Sequence, residues 1–265
     1  MNDQFRPLPV PGLDDPAENF LVASKMSPLV SGAYSEAYAY EFATDPAALA
    51  RFGTPTVFAS GPSAIRAPED TQESVVGVID ALRSRRSLPI FDDGRPVASQ
   101  VLYRVLDEAA GITTAYGRGT PSPGALYPLD CYVTVANVDD VHAGFYGYDP
   151  YHHRLLPLNI TRDPREWLIS VLAYQDLAGT AAFHVFTVAN FDRVRVKYGQ
   201  RAYRFALIEA GHLVQSMLLI AEAEGIGACT VGGFFDRDVD TTFGLDGVAA
   251  SAVHSAAFGH PIEIS

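Results

Sequence analysis

Residues 201–224 read RAYRFALIEAGHLVQSMLLIAEAE. The run favours helix throughout and is apolar almost all round, the mark of a central buried helix rather than a surface one. Gly225 and Gly227 end it. Downstream, 228–234 (ACTVGGF) reads as a strand, 236–243 as a short helix and 250–258 as a last strand. Upstream, 182–190 (AFHVFTVAN) is a strand and 163–174 a helix. The stretch 144–158 is a hairpin turning at Asp149-Pro150, and 131–137 (CYVTVAN) a further strand. The loop 117–128 (GRGTPSPGALYP) follows a helix over 98–110, whose face carries Val101, Leu102, Val105 and Leu106 and which Gly111 stops. A first helix is capped at Asp70 or Thr71, carries Val75, Val78, Ile79 and Leu82, and cannot continue past Pro89. Strands and helices mix without strict β-α-β alternation, so the expected fold class is α+β.

Residues 1–75 are rich in Pro, Gly, Ala and Ser and weakly periodic, an N-terminal extension wrapped on the body or on a second subunit, with short ordered pieces at 17–27 and 46–51. Residues 76–265 form the main domain. A net charge of −12 argues against a nucleic-acid partner. No run reaches the roughly 18 apolar residues of a membrane helix. The N-terminus lacks a charged-then-apolar signal pattern. Cys131 and Cys229 lie in apolar strand-like runs without a partner at metal-ligand spacing. Buried free thiols and a cytoplasmic setting are expected. His184 and His212 fall in apolar elements, and His152-His153 at the hairpin turn. No His-x-x-x-His pattern appears, and the one Glu-x-x-His spacing, Glu209 to His212, has no further ligand beside it in sequence, so no metal site is expected.

Four motifs carry chemistry. Arg85-Arg86-Ser87 closes the first helix. The arginines either answer the helix dipole or, with the Ser hydroxyl, clamp a phosphate. Thr120 to Pro128 is either a plain loop or a cofactor loop, in which glycine admits a flat ring and prolines stiffen the approach. Lys197-Tyr198 is either a solvated pair or, between a buried strand and the apolar helix, a partly desolvated Lys able to act as a base. Gly225-Ile226-Gly227 and Gly232-Gly233 are turn and packing glycines or a backbone pressed on a cofactor. No glycine-rich segment has Rossmann or P-loop form, and no Gly-x-Ser-x-Gly elbow is present.

The order Arg-Arg-Ser, Pro-Ser-x-Gly-Ala-Leu-Tyr-Pro, Lys-Tyr-Gly-x-Arg-x-Tyr-Arg-Phe, Glu-Ala-Gly-His, Gly-Ile-Gly-Ala-Cys-x-Val-Gly-Gly-Phe and Phe-Gly-His-Pro resembles the SagB-type dehydrogenases of the nitroreductase superfamily. The match spans about residues 76–265, and AENFLVASK near residue 20 resembles that family's usual start. The resemblance implies a mixed sheet flanked by helices, a homodimer, and FMN at the subunit interface. It implies Arg85, Arg86 and Ser87 at the FMN phosphate and ribityl chain. Pro121, Ser122, Gly124, Ala125 and Leu126 would lie along one side of the ring and Gly232-Gly233 along the other, with Arg204 and His260 completing the site. Two positions depart from the family pattern. Pro89 stands where a second basic residue is common, and His260 where Arg commonly follows the last Gly.

The implied activity is dehydrogenation of thiazoline or oxazoline rings to azoles, in a peptide or carrier-bound intermediate delivered by a cyclodehydratase. The ring loses one hydrogen as a proton and one as a hydride to the flavin. Lys197 in its neutral form is the expected base, with Tyr198 orienting the substrate, and dioxygen reoxidises the flavin. Two rival readings are an NAD(P)H-dependent nitro- or quinone reductase on the same fold and a flavin-free scaffold subunit. Bleaching of bound flavin by NADPH marks the first, and a colourless folded dimer the second.

Overall fold

The computed structural model describes residues 77–262 except 115 and 116, together with residues 16, 20, 56, 58, 64–66 and 68. The elements in chain order are β1 (Ile65–Arg66), α1 (Val78–Ser84), α2 (Ser99–Ala110), β2 (Ile112–Thr114), β3 (Gly117–Arg118), β4 (Leu129–Val135), β5 (Gly144–Asp149), β6 (Arg154–Pro157), α3 (Pro164–Val171), α4 (Gln175–Thr180), β7 (Phe183–Asn190), α5 (Phe191–Tyr198), α6 (Ala202–Ala223), β8 (Gly227–Val231), α7 (Asp236–Phe243) and β9 (Ala250–Gly259). The cap expected at Asp70 or Thr71 and the ordered pieces at 17–27 and 46–51 lie outside the described residues, Phe20 apart. The described part of α1 begins after Gly77.

Seven strands form one sheet in the order β1-β6-β5-β4-β7-β9-β8. Its strand pairs are antiparallel, and parallel pairing at its edge is the isolated bridge of Ser87 with Ala228. The α+β class is as expected. Seven of the eight residues of β7 are buried, because helices cover both sheet faces. On one face Phe183, Val185 and Ala189 join Leu102 and Leu106 of α2 and Leu213, Val214 and Met217 of α6 in one core. On the other face Phe186 and Val188 meet Trp167 and Leu168 of α3, Leu177 of α4 and Val239 of α7.

Three local outcomes differ from the sequence reading. First, the helix expected over 163–174 is two helices. Asp163 caps α3 by accepting the Glu166 N–H at 2.9 Å, and Pro164 takes a first-turn position. After Val171 the chain turns to pair with the strand exit. Leu172 bridges Phe234, and the Ala173 N–H donates to the Gly233 carbonyl at 2.8 Å. Second, the segment before Lys197 is helical (α5), which the sequence reading left unassigned. Third, the stretch Phe191–Ala223 is long and apolar enough by composition to cross a membrane, contrary to expectation. Its apolar residues are accounted for on one side by the sheet and α2. Its other side exposes Leu207 and Ile208 together with Gly211, His212 and Gln215.

Part of the N-terminal region packs on the body. Phe58 is buried edge-on against Tyr132, with ring centroids 5.1 Å apart. It fills the space a side chain at Gly147 would need. Ile65 and Arg66 pair with Leu155 and Arg154 at the sheet edge.

Candidate functional site

The residues singled out in the sequence fall into two groups. The first lies where the chain leaving α1 crosses the starts of β8 and the end of β9. Ser87 bridges Ala228, the Leu88 N–H donates to the Ala228 carbonyl at 3.2 Å, and Asp92 bridges His260. Arg85 points Nη1 at Ser87 Oγ, 3.5 Å away. Arg86 turns back instead, donating to the carbonyls of Arg83, Ser84 and Arg85 at 2.8, 3.2 and 2.9 Å. It thereby satisfies the open end of α1. Burial pushes the Cys229 thiol up, opposed by the Ser87 hydroxyl and the Arg85 charge beside it. Cys229 is a free thiol but only half-buried, unlike Cys131. The His260 ring is held below the usual His range by burial and by Arg95, against Asp92 and a hydrogen bond to the Pro96 carbonyl. Its Nδ1 is buried and makes no hydrogen bond to a described residue.

Beside these residues lies a cavity of about 350 Å³, lined by Pro89, Tyr174, Gln175, Asp176, Leu177, Cys229 and Thr230. At its strand exit Gly232 has open space where a Cβ would stand, whereas a Cβ on Gly233 would lie 3.2 Å from the Tyr174 ring. An arginine with a hydroxyl partner, an orphaned imidazole nitrogen and a glycine facing open space suit a group with a phosphate at one end and a flat ring at the other.

The second group lies at the N-terminal end of α6. The loop between β3 and β4 makes a turn in which Gly124, Ala125 and Tyr127 all take positive φ, at 64°, 55° and 45°. For Ala125 and Tyr127 such a backbone costs on the order of 1–3 kcal/mol each, so the surroundings must impose it. Leu126 is fully buried against Val194, Ala202 and Tyr198, which leaves its backbone alone to face a ligand. Pro121 and Ala125 are exposed. Ser122 Oγ donates to Glu209 Oε2 at 2.6 Å and accepts the Tyr127 N–H at 2.9 Å. With its proton committed, Ser122 faces any further group only as an acceptor.

Lys197 and Tyr198 close α5 directly against this turn. A Cβ on Gly124 would stand 2.6 Å from Lys197 Nζ and 2.8 Å from the Tyr198 hydroxyl, so only glycine leaves both in place. Lys197 Nζ lies 5.4 Å from the Tyr198 ring centre. Arg204 follows in the first turn of α6. Two residues to which the sequence reading gave no role hold this end together. Arg193 of α5 donates to both carboxylate oxygens of Asp130 at 2.8 and 2.7 Å, to Thr56 Oγ1 at 2.7 Å and to the Tyr127 carbonyl at 3.2 Å. Glu209, 3% exposed, sits on the buried face of α6. An acid within an otherwise apolar helical face is the sequence signal that would have found it. His184 lies on β7. It is fully buried against Phe186 with neither ring nitrogen bonded to a described residue, and burial lowers its pKa to about 3.

The two groups are not brought together within one chain. Lys197 precedes α6 and Ala228, beside Ser87, follows it, so the 22 residues of α6 separate them. At the usual rise that is about 30 Å.

A family model described as the Nitroreductase family matches residues 82–260. A nitroreductase-type protein of Methanocaldococcus jannaschii is 33% identical over 161 residues, 60% of this chain and 80% of its own. The microcin B17-processing protein McbC of Escherichia coli is 30% identical over 138 residues, 49% of each chain. Among solved structures, a nitroreductase-type protein of Ralstonia eutropha superposes with a TM-score of 0.65 at 28% identity, covering 79% of this chain and 94% of its own. A chain of the E. coli microcin synthetase McbBCD complex, with truncated pro-MccB17 bound, superposes at 0.61 and 22% identity, covering 90% and 99%. A nitroreductase-type protein of Desulfovibrio desulfuricans, solved in complex with FMN, superposes at 0.50 and 22% identity, covering 70% and 87%.

Proposed function

The chain belongs to the nitroreductase family, and from that premise we propose that it is an FMN-dependent oxidoreductase that dehydrogenates thiazoline or oxazoline rings to thiazoles or oxazoles in a peptide or carrier-bound intermediate. The observation that carries this reading is the Lys197-Tyr198 pair pressed on Gly124 of the strained turn. A reductase needs no such base. Similarity to a microcin-processing protein supports it, and the fold shared with a microcin synthetase chain fits a cyclodehydratase partner.

Arg85 and Ser87 would take the FMN phosphate and Gly232 the ring, with His260 and its orphaned Nδ1 beside them. Arg86 serves the helix end and contributes charge only. FMN, when bound, supplies the two-electron acceptor, which dioxygen then restores. Lys197 Nζ takes the proton from the azoline ring carbon acidified by the adjacent imine and carbonyl. Tyr198, whose hydroxyl burial pushes up, stays a neutral donor that orients the ring.

The separation of the two groups supports a homodimer in which a second copy brings Lys197 and Ser122 to the flavin held by Arg85 and Ser87. The exposed Val78, Ile79 and Leu82 of α1 and Leu207 and Ile208 of α6 are the apolar surface such a partner would cover.

Loading with FMN, desalting and recording the visible spectrum tests the cofactor. A synthetic thiazoline peptide in air should then yield a product lighter by two hydrogens. A second reading, an NAD(P)H-dependent nitro- or quinone reductase, is favoured by the naming of the M. jannaschii relative. Rapid anaerobic bleaching by NADPH with no azoline turnover would decide for it. A folded protein that stays colourless would point to the scaffold reading.

A further inference from the structure

Glu209 occupies a position where a leucine would pack. It is 3% exposed on the face of α6 that also buries Ala206, Ala210 and Leu213. A carboxyl there loses its hydration, so its gain lies in what it holds. Its Oε2 accepts from Ser122 Oγ at 2.6 Å, and the same Oγ accepts the Tyr127 N–H at 2.9 Å. The two bonds tie α6 to both ends of the turn in which Gly124, Ala125 and Tyr127 are left-handed. That turn in turn presses Gly124 on Lys197 and Tyr198.

We infer that Glu209 is a positioning residue: through the Ser122 hydroxyl it latches the 122–127 turn and so fixes Lys197 and Tyr198 against Gly124. The latch acts on geometry and needs an acceptor, not a charge. Burial lifts the carboxyl to about 7, against the Ser122 bond and the charges of Arg118 and Arg193. Either protonation state keeps an oxygen for Ser122. Only its catalytic meaning rests on the function proposed above.

The chain has two lysines, Lys25 and Lys197, so the Lys197 amine can be followed alone, with Lys25 as internal reference. The full chain, without added FMN, is treated with dilute acetic anhydride, and acetylation at each lysine is read by mass spectrometry. In Glu209→Ala and Ser122→Ala the rate at Lys197 relative to Lys25 should rise roughly three- to tenfold, the population shift expected from losing one such hydrogen bond. Glu209→Gln, which keeps the acceptor, should label like the wild type. If Glu209→Ala does not fold, Ser122→Ala carries the test, since it removes one hydroxyl at a half-buried site. Wild-type rates in the folded Ala variants would overturn the inference. So would a folded Glu209→Gln that labels like Glu209→Ala. A chain that never binds FMN yet labels in the expected pattern would sink the flavin reading and keep this one.

Discussion

Lys197 and Glu209 make separable demands on the site. Lys197→Ala should retain bound FMN and lose azoline turnover by about 10²–10⁴, the usual contribution of a placed base. Steady-state assay of the yellow variant checks this, and undiminished turnover would remove Lys197 from the chemistry. Glu209 leaves a mark on stability as well. Its carboxyl titrates at about 7 when folded against an ordinary value of 4.5. The folded chain therefore holds the proton more tightly than the unfolded one. The stabilisation is complete below the unfolded value and is lost as pH rises through the folded value. Glu209→Gln should thus gain on the wild type between about pH 5 and about pH 8, by up to roughly 3 kcal/mol in urea titrations. A difference that stays constant with pH would contradict it. The sequence singles out Lys197 as a candidate because an unusual pair sits between two apolar elements. Glu209 shows in the sequence only as an acid in an otherwise apolar helical face, and its meaning depends on a partner 87 positions away.

Among the elements, α5 is held in place by a buried ion pair. Arg193 and Asp130 are 8% and 4% exposed in their side chains, and the pair pins α5 to the start of β4 with Thr56 as a third member. Arg193→Met strands a buried carboxylate and should lower stability by about 3–5 kcal/mol, while adding Asp130→Asn should return much of that loss. Chemical denaturation of the single and double variants measures both, and equal losses would mean the carboxylate is not what the single variant exposes. The central strands and the long helix were legible because their apolar runs are what the fold buries. The helix at 163–174 was misjudged because its break is imposed from outside, by the pairing of Leu172 and Ala173 with Phe234 and Gly233. No local signal competes with that until the strand exit is in place.

For the whole molecule, the proposed dimer has a direct test in mixed chains. Arg85→Ala and Lys197→Ala should each be inactive. Refolded together they should regain roughly a quarter of wild-type activity, because half the dimers are mixed and each carries one intact site. No recovery would mean that each site is built within one chain. The motif order was readable along the chain, but which motifs share a site was not, since order in sequence carries no distance.

That distance is set by α6, and it makes the helix a gauge. Each residue inserted or removed there shifts everything beyond by about 1.5 Å and swings it by about 100°. Glu209 would leave the turn, Met217 would leave the sheet, and the clamp on Arg85 and Ser87 would move off its mark in the same stroke. Extra residues at 244–249, between α7 and β9, lie beyond α6 and leave its length unchanged. A substitution on the surface of α6 leaves that gauge unchanged, whereas a change of length within it does not.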